Sequence, residues 1–254
     1  VTDKNEDNEL WIRRFNPRDE SKLRLVCLPH AGGSASFYHP MASAVPLPVD
    51  VLAVQYPGRQ DRRTEPGITS IQALADEVTE ALEPWTDQPL ALFGHSMGAT
   101  LAFEVARRLE SRHGVVPAAL FASGRRAPSR PRNESVHRLG DDGLIAELKA
   151  LSGTDSQVLG DEEVLRMVLP AIRTDYRAAE TYVYEPGEKL HCPVIGLVGD
   201  GDPKVTVGEA RSWGDHTEGP FNFHTFGGGH FYLLNHRTEI IKIISDHLLG
   251  ACVD

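Results

Sequence analysis

The stretch that most constrains this chain is Pro89-Leu90-Ala91-Leu92-Phe93-Gly94-His95-Ser96-Met97-Gly98-Ala99-Thr100. An apolar run with the character of a short buried strand enters Gly-His-Ser-Met-Gly, and a helical pattern begins at once. A serine between two such elements sits on a very tight turn. Residues two before and two after it must be small, because any side chain there collides across the turn, and Gly94 and Gly98 meet that demand. The turn lifts the Ser96 hydroxyl clear of the sheet and aims the Met97 amide into the same space, at a helix N-terminus that favours negative charge. A Gly-punctuated turn with a solvated serine would read the same locally, so the rest of the chain must decide.

A second small-residue loop follows another apolar strand. Leu23–Leu28 runs into Pro29-His30-Ala31-Gly32-Gly33-Ser34-Ala35-Ser36, whose backbone can approach a ligand closely, and Ala31 is the candidate for a second amide beside Ser96. His30, placed before the following helix, is expected to position that loop rather than move protons. Further strands are read at Leu10–Phe15, Val49–Gln55, Ala118–Ala122, Val194–Val198 and Phe221–Phe226. Helices are read from Phe37, over Ile71–Leu82, from Met97 to about Ser111 with Gly114 as C-cap, and over Phe231–Leu249. Two more, Asp142–Leu151 and Asp161–Tyr182, the second with Asp161 as N-cap and Pro170 as a kink, interrupt the βα rhythm. Their apolar residues Leu144, Ile145, Leu148, Leu165, Val168, Leu169 and Ile172 need something to cover.

The expected organisation is therefore a flexible lead-in over 1–9, core over 10–126, a helical lid insertion over 127–188, and the rest of the core over 189–254. The fold class is α/β, a mostly parallel doubly wound sheet of the α/β-hydrolase kind. In such sheets a nucleophile, an acid and a histidine follow in that chain order at C-terminal strand ends. Ser96, an aspartate at 200 or 202, and His230 on the loop Gly227-Gly228-Gly229-His230 satisfy this. Serine needs a base, and the imidazole needs a carboxylate to fix its tautomer. Local chemistry leaves the acid open: Asp200 follows the strand and suits a loop brace, whereas Asp202 lies further out beside Pro203.

The totals exclude other classes. A net charge of -10 argues against a generic nucleic-acid binder. Three separated cysteines (Cys27, Cys192, Cys252) form neither a disulfide framework nor a zinc spacing, and a cytoplasmic setting is expected. No apolar run reaches membrane-span length. Between Ser123 and Arg138, five arginines stand against the single acid Glu134, which reads as an exposed loop.

Pro-His-Ala-Gly-Gly-Ser, Tyr56-Pro57-Gly58-Arg59, Gly-His-Ser-Met-Gly, Gly-Asp-x-Asp and Gly-Gly-His-Phe, in this order from about Leu25 to Leu248, resemble the type II thioesterases of modular polyketide and nonribosomal peptide synthases, the rifamycin-pathway kind among them. The resemblance implies Asp202 as the catalytic acid with Ser96 and His230, and Ala31 and Met97 as oxyanion amides. It implies hydrolysis of stalled or mis-primed acyl thioesters from the phosphopantetheine arm of acyl carrier protein domains. Neither metal nor cofactor is implied, since the pantetheine belongs to the substrate, and a monomer is expected. Carrier domains are generally acidic, so a basic patch would be needed for docking. Arg125, Arg126, Arg130 and Arg132, with Arg59 or Arg62, are the candidates against the plainer reading of a solvated loop. A carboxylesterase, an acyltransferase, or a non-catalytic binding protein on this fold are the alternatives.

Overall fold

The computed structural model describes residues 4–46, 48–152 and 162–250. Its elements run α1 (Lys4–Trp11), β1 (Ile12–Arg13), β2 (Leu23–Leu28), α2 (His39–Ala44), β3 (Val49–Val54), α3 (Ile71–Leu82), β4 (Leu90–His95), α4 (Met97–His113), β5 (Ala119–Ser123), α5 (Asp141–Ser152), α6 (Glu162–Glu180), β6 (Val194–Gly199), α7 (Val207–Arg211), β7 (Phe221–Phe226) and α8 (Arg237–Gly250). The strands form one sheet in the order β1-β3-β2-β4-β5-β6-β7, with β1 antiparallel and every other pairing parallel.

Period-two alternation explains why the sheet is covered on both faces. Val26 and Leu28, Leu90 and Leu92, and Leu120 and Ala122 point to the layer of α3 and α4. Leu25 and Cys27, Ala91 and Phe93, and Ala119 and Phe121 point to the layer of α2 and α8. The chain steps from β2 outward to β3, then crosses to β4 on the other side of β2. The loops leaving β2 and β4 diverge there, which makes the crevice that open α/β sheets use for ligands.

Between β5 and β6 the helices α5 and α6 build a separate apolar cluster of Leu144, Ile145, Leu165, Leu169, Ile172 and Tyr176, against which Ala31 packs. Val168 and Leu148 do not join it as buried members: Val168 is 43% exposed and Leu148 is half-buried. The expected N-cap Asp161 lies outside the described residues.

Four expectations need correction. The polar N-terminus is not a loose lead-in, since Lys4–Trp11 is helical. Asn8 explains this: its side chain donates to the Ala81 carbonyl (2.6 Å) and accepts from Trp85 Nε1 (2.9 Å). The first strand accordingly shrinks to Ile12–Arg13. The last helix begins at Arg237, because Tyr232–Leu234 forms a single tight turn beneath His230. The arginine-rich segment is a solvated loop only in part: Arg130 and Arg138 are exposed, but other arginines turn to partners. Arg126 is 6% exposed and paired with Glu134, and Arg132 is bound to Glu209 at 2.8 Å through Nε. Among the described residues no helix is long and apolar enough to cross a membrane.

Candidate active site

Ser96 joins β4 to α4 with φ 55° and ψ −120°, a conformation that a non-glycine residue holds only when its surroundings enforce it. Its amide donates to the Ser123 carbonyl on β5 (2.8 Å), pinning the turn to the neighbouring strand. A Cβ on Gly94 would lie 2.1 Å from the Gly98 oxygen, and one on Gly98 would lie 2.0 Å from the Leu28 oxygen. Both glycines are therefore required by backbone contact, as the motif demands.

His230 arrives from the glycine loop after β7. Its Nε2 is 2.9 Å from Ser96 Oγ and its Nδ1 is 2.8 Å from Asp202 Oδ2. The imidazole is 3% exposed and the Asp202 side chain is fully buried. The other Asp202 oxygen accepts the Lys204 amide at 2.8 Å, which fixes the carboxylate's rotation. Asp200 instead accepts the Gly228 amide (2.9 Å) and braces the loop that carries His230. Of the two aspartates the sequence leaves open, the structure brings Asp202 to the imidazole. A carboxylate on Nδ1 leaves Nε2 to accept the serine proton, which is the requirement for nucleophilic attack by a hydroxyl.

Met97 is the first residue of α4, and its N–H has no carbonyl one turn earlier. Ala31 sits on the facing turn after β2, and both residues line the same cavity as Ser96 and His230. That cavity, of about 200 Å³, is also lined by Leu148, Leu151, Leu165, Val168, Ile172 and Tyr176 from α5 and α6. Arg125, Glu134, Glu180 and Lys204 supply its polar end. Lys204 Nζ reaches Glu134 (3.2 Å) and also pairs with Glu147.

Two other histidines crowd the site. His30 lies edge-on to Phe37 and Phe231, with centroids 4.7 and 4.9 Å away. Burial, with the charges of His230 and Arg59 adding to it, pushes its imidazole down to about 3, so it stays neutral and packs the turn. His95, fully buried, meets the Ser123 hydroxyl through Nδ1 (2.9 Å), and that hydroxyl meets the Tyr232 hydroxyl (2.6 Å). Its ring lies 5.1 Å from that of His230. Burial holds His95 well below the usual imidazole range. This His95–Ser123–Tyr232 chain escaped sequence reasoning, because no local pattern signals a contact spanning β4, β5 and the turn after β7.

The arginines divide. Arg125 is half-buried, donates to Thr100 Oγ1 (3.1 Å) and the Ala179 carbonyl (3.3 Å), and lines the cavity. Arg130 is exposed and donates to Ser212 Oγ (2.9 Å). Arg126 faces inward to Glu134 and the Lys204 carbonyl. Arg59 is buried against Asp175, and Arg62 against Glu65, so neither adds to a basic surface.

Comparison with known proteins identifies the family of the chain. The profile of the thioesterase domain matches residues 23–248. Thioesterase PikA5 of Streptomyces venezuelae is 54% identical over 246 residues, covering 96% of this chain and 88% of the relative. Gramicidin S biosynthesis protein GrsT of Aneurinibacillus migulanus is 35% identical over 239 residues, covering 94% and 93%. Among solved structures, the type II thioesterase BorB from the borrelidin biosynthetic cluster superposes with a TM-score of 0.90 at 58% identity, covering 94% of this chain and 98% of that one. The chain belongs to the thioesterase-domain family and, within its α/β-hydrolase fold, to the type II thioesterases of polyketide and nonribosomal peptide biosynthesis.

Proposed function

We propose that this enzyme hydrolyses acyl thioesters carried on the phosphopantetheine arm of acyl carrier protein domains, with Ser96, His230 and Asp202 as its catalytic residues. The unbroken line Ser96 Oγ–His230 Nε2, His230 Nδ1–Asp202 Oδ2 carries the reading. His230 takes the Ser96 proton as Oγ attacks the thioester carbonyl, and the Ala31 and Met97 amides hold the oxyanion. The C–S bond breaks, the thiol leaves with the proton from His230, and an acyl-Ser96 ester remains. Water, deprotonated by His230, attacks that ester and releases the acid. The family relationship favours water over another acceptor in this second step, and no metal or cofactor enters it.

The insertion over 127–188 is the lid in this reading, since α5 and α6 wall the acyl cavity. A second groove, of about 400 Å³, shares Arg125, Ala179 and Glu180 with that cavity and includes Arg130, Arg132, Tyr182 and Val183. It is a suitable entry for the pantetheine arm. In the docking set, Arg130 is exposed and Arg132 keeps 31% of its side chain open beside its partner Glu209, so these two are the residues to meet an acidic carrier, whereas Arg126 is turned inward by its ion pair with Glu134. A cytoplasmic enzyme acting as a monomer completes the proposal, and the free thiols of Cys27 and Cys192 fit a reducing compartment.

The test compares propionyl on a carrier protein with propionyl on a small pantetheine thiol, with a p-nitrophenyl ester as control. Ser96-dependent release, faster from the carrier and with a carrier KM raised by Arg130→Glu/Arg132→Glu, is the expected outcome. Turnover of the ester with neither thioester cleaved would contradict it.

A further inference from the structure

The motif Tyr56-Pro57-Gly58-Arg59 has no part in the reaction as described, yet its arginine reaches the oxyanion turn. Arg59 is 7% exposed and Asp175, on α6, is 2% exposed. The two meet as a bidentate pair: Nη1 to Oδ2 at 2.6 Å and Nη2 to Oδ1 at 2.8 Å. The same Oδ2 accepts the Gly32 amide at 2.8 Å, and Arg59 Nη1 also donates to the Gly33 carbonyl at 3.0 Å. On the other side of the turn the Tyr56 hydroxyl, whose ring lies 5.1 Å under the guanidinium, donates to the Pro29 carbonyl at 3.1 Å. Pro29, Gly32 and Gly33 are thus tied down, and Ala31 lies between them. Gly32 has φ +77°, and a Cβ there would lie 2.6 Å from Ile172 Cγ1, so the turn is pressed directly onto α6.

We propose that Asp175 and Arg59 are positioning residues for the oxyanion hole: the carboxylate on α6 holds the Gly32 amide, and the guanidinium holds carboxylate and Gly33 carbonyl, so that the Ala31 N–H faces the reacting carbonyl. This rests on the reading of Ala31 as an oxyanion donor. A buried ion pair is a costly way to hold a fold together, since apolar residues of similar volume often replace one without loss. It is an effective way to orient a backbone amide, because charge-assisted bonds are short and directional. A displaced oxyanion donor costs turnover while leaving ground-state binding in place.

The experiment uses the double variant Arg59→Met/Asp175→Leu, which removes both charges and fills their volume, beside Arg59→Met/Asp175→Asn, which keeps an acceptor for the Gly32 amide. Propionyl-pantetheine kcat and KM, melting temperature, and affinity for propylboronic acid, which forms a tetrahedral adduct on the serine, are measured. For the Leu variant kcat and boronate affinity fall together by roughly tenfold to hundredfold, with KM within about twofold and melting little changed. The Asn variant recovers most of the loss. Arg59→Lys, which keeps a cation opposite Asp175 and no fork, serves if the double variant does not fold, and its kcat falls by about fivefold at constant KM. Full kcat in the folded Leu variant or in Arg59→Lys, or a loss confined to KM, overturns the proposal. Ser96→Ala runs in parallel: turnover surviving there would defeat the catalytic reading itself, whatever Asp175 does.

Discussion

Asp200 and Asp202 stand two residues apart on one loop and end in different places, one on the Gly228 amide and one on the His230 imidazole. Asp202→Asn would present an amide to Nδ1 and allow the wrong tautomer, so kcat is expected to fall by about 10³–10⁴-fold. Asp200→Asn keeps an oxygen for the Gly228 amide, and steady-state kinetics should find kcat within about threefold of the parent. Ser96 and His230 were legible from motif and chain order alone. The choice of aspartate was not, because it depends on how residues 199–204 turn and on the Lys204 amide that fixes the carboxylate. Resemblance supplied what local chemistry left open. Arg59 and Arg126 were misread for the complementary reason: composition counts charges, whereas their partners, the buried Asp175 and the part-buried Glu134, lie 116 and 8 residues away in the chain.

Strand and helix patterns were legible wherever burial is two-sided or periodic. The parallel strands and α3 fall close to where their apolar spacing puts them, and Gly114 closes α4 in the left-handed conformation. Helix α1 was not legible, since a polar, acidic segment carries no periodic face and is held by Asn8 contacts to distant residues. The elbow makes the sharpest prediction for an element. Gly98→Ala drives a Cβ into the Leu28 carbonyl and should lower stability by more than about 4 kcal/mol in urea unfolding, or prevent folding. Gly208→Ala, inside α7 with nothing within 4 Å of the added carbon, should raise stability by about 0.5–1 kcal/mol. Equal effects of the two would contradict the backbone contact as the reason for Gly98.

Across the whole molecule, buried imidazoles link stability to pH. His216 sits among Phe103, Tyr184 and Trp213 with Nε2 2.9 Å from Ser129 Oγ, and burial pushes it from 6.5 down to about 4. The unfolded chain takes up protons on this ring near pH 6.5 and the folded protein only near 4, so the unfolded state binds more protons between them. The contribution of this ring is fully present above 6.5 and is lost as pH falls through that window; His30 adds in the same direction, further into acid. Melting temperature should therefore drop from about pH 6.5 to pH 4, and His216→Gln should flatten the slope. An unchanged slope would show that other groups set the acid limit.

An α/β sheet, a strained elbow and a helical wall converge on the proposed cleavage of a thioester by way of an acyl group on Ser96. The direct measurement is rapid-quench mass spectrometry after mixing the enzyme with a propionyl-carrier protein. A propionyl adduct on the peptide containing Ser96, formed before the acid is released and absent from Ser96→Ala together with turnover, is the predicted result. Turnover that persists in Ser96→Ala would contradict the account at its centre.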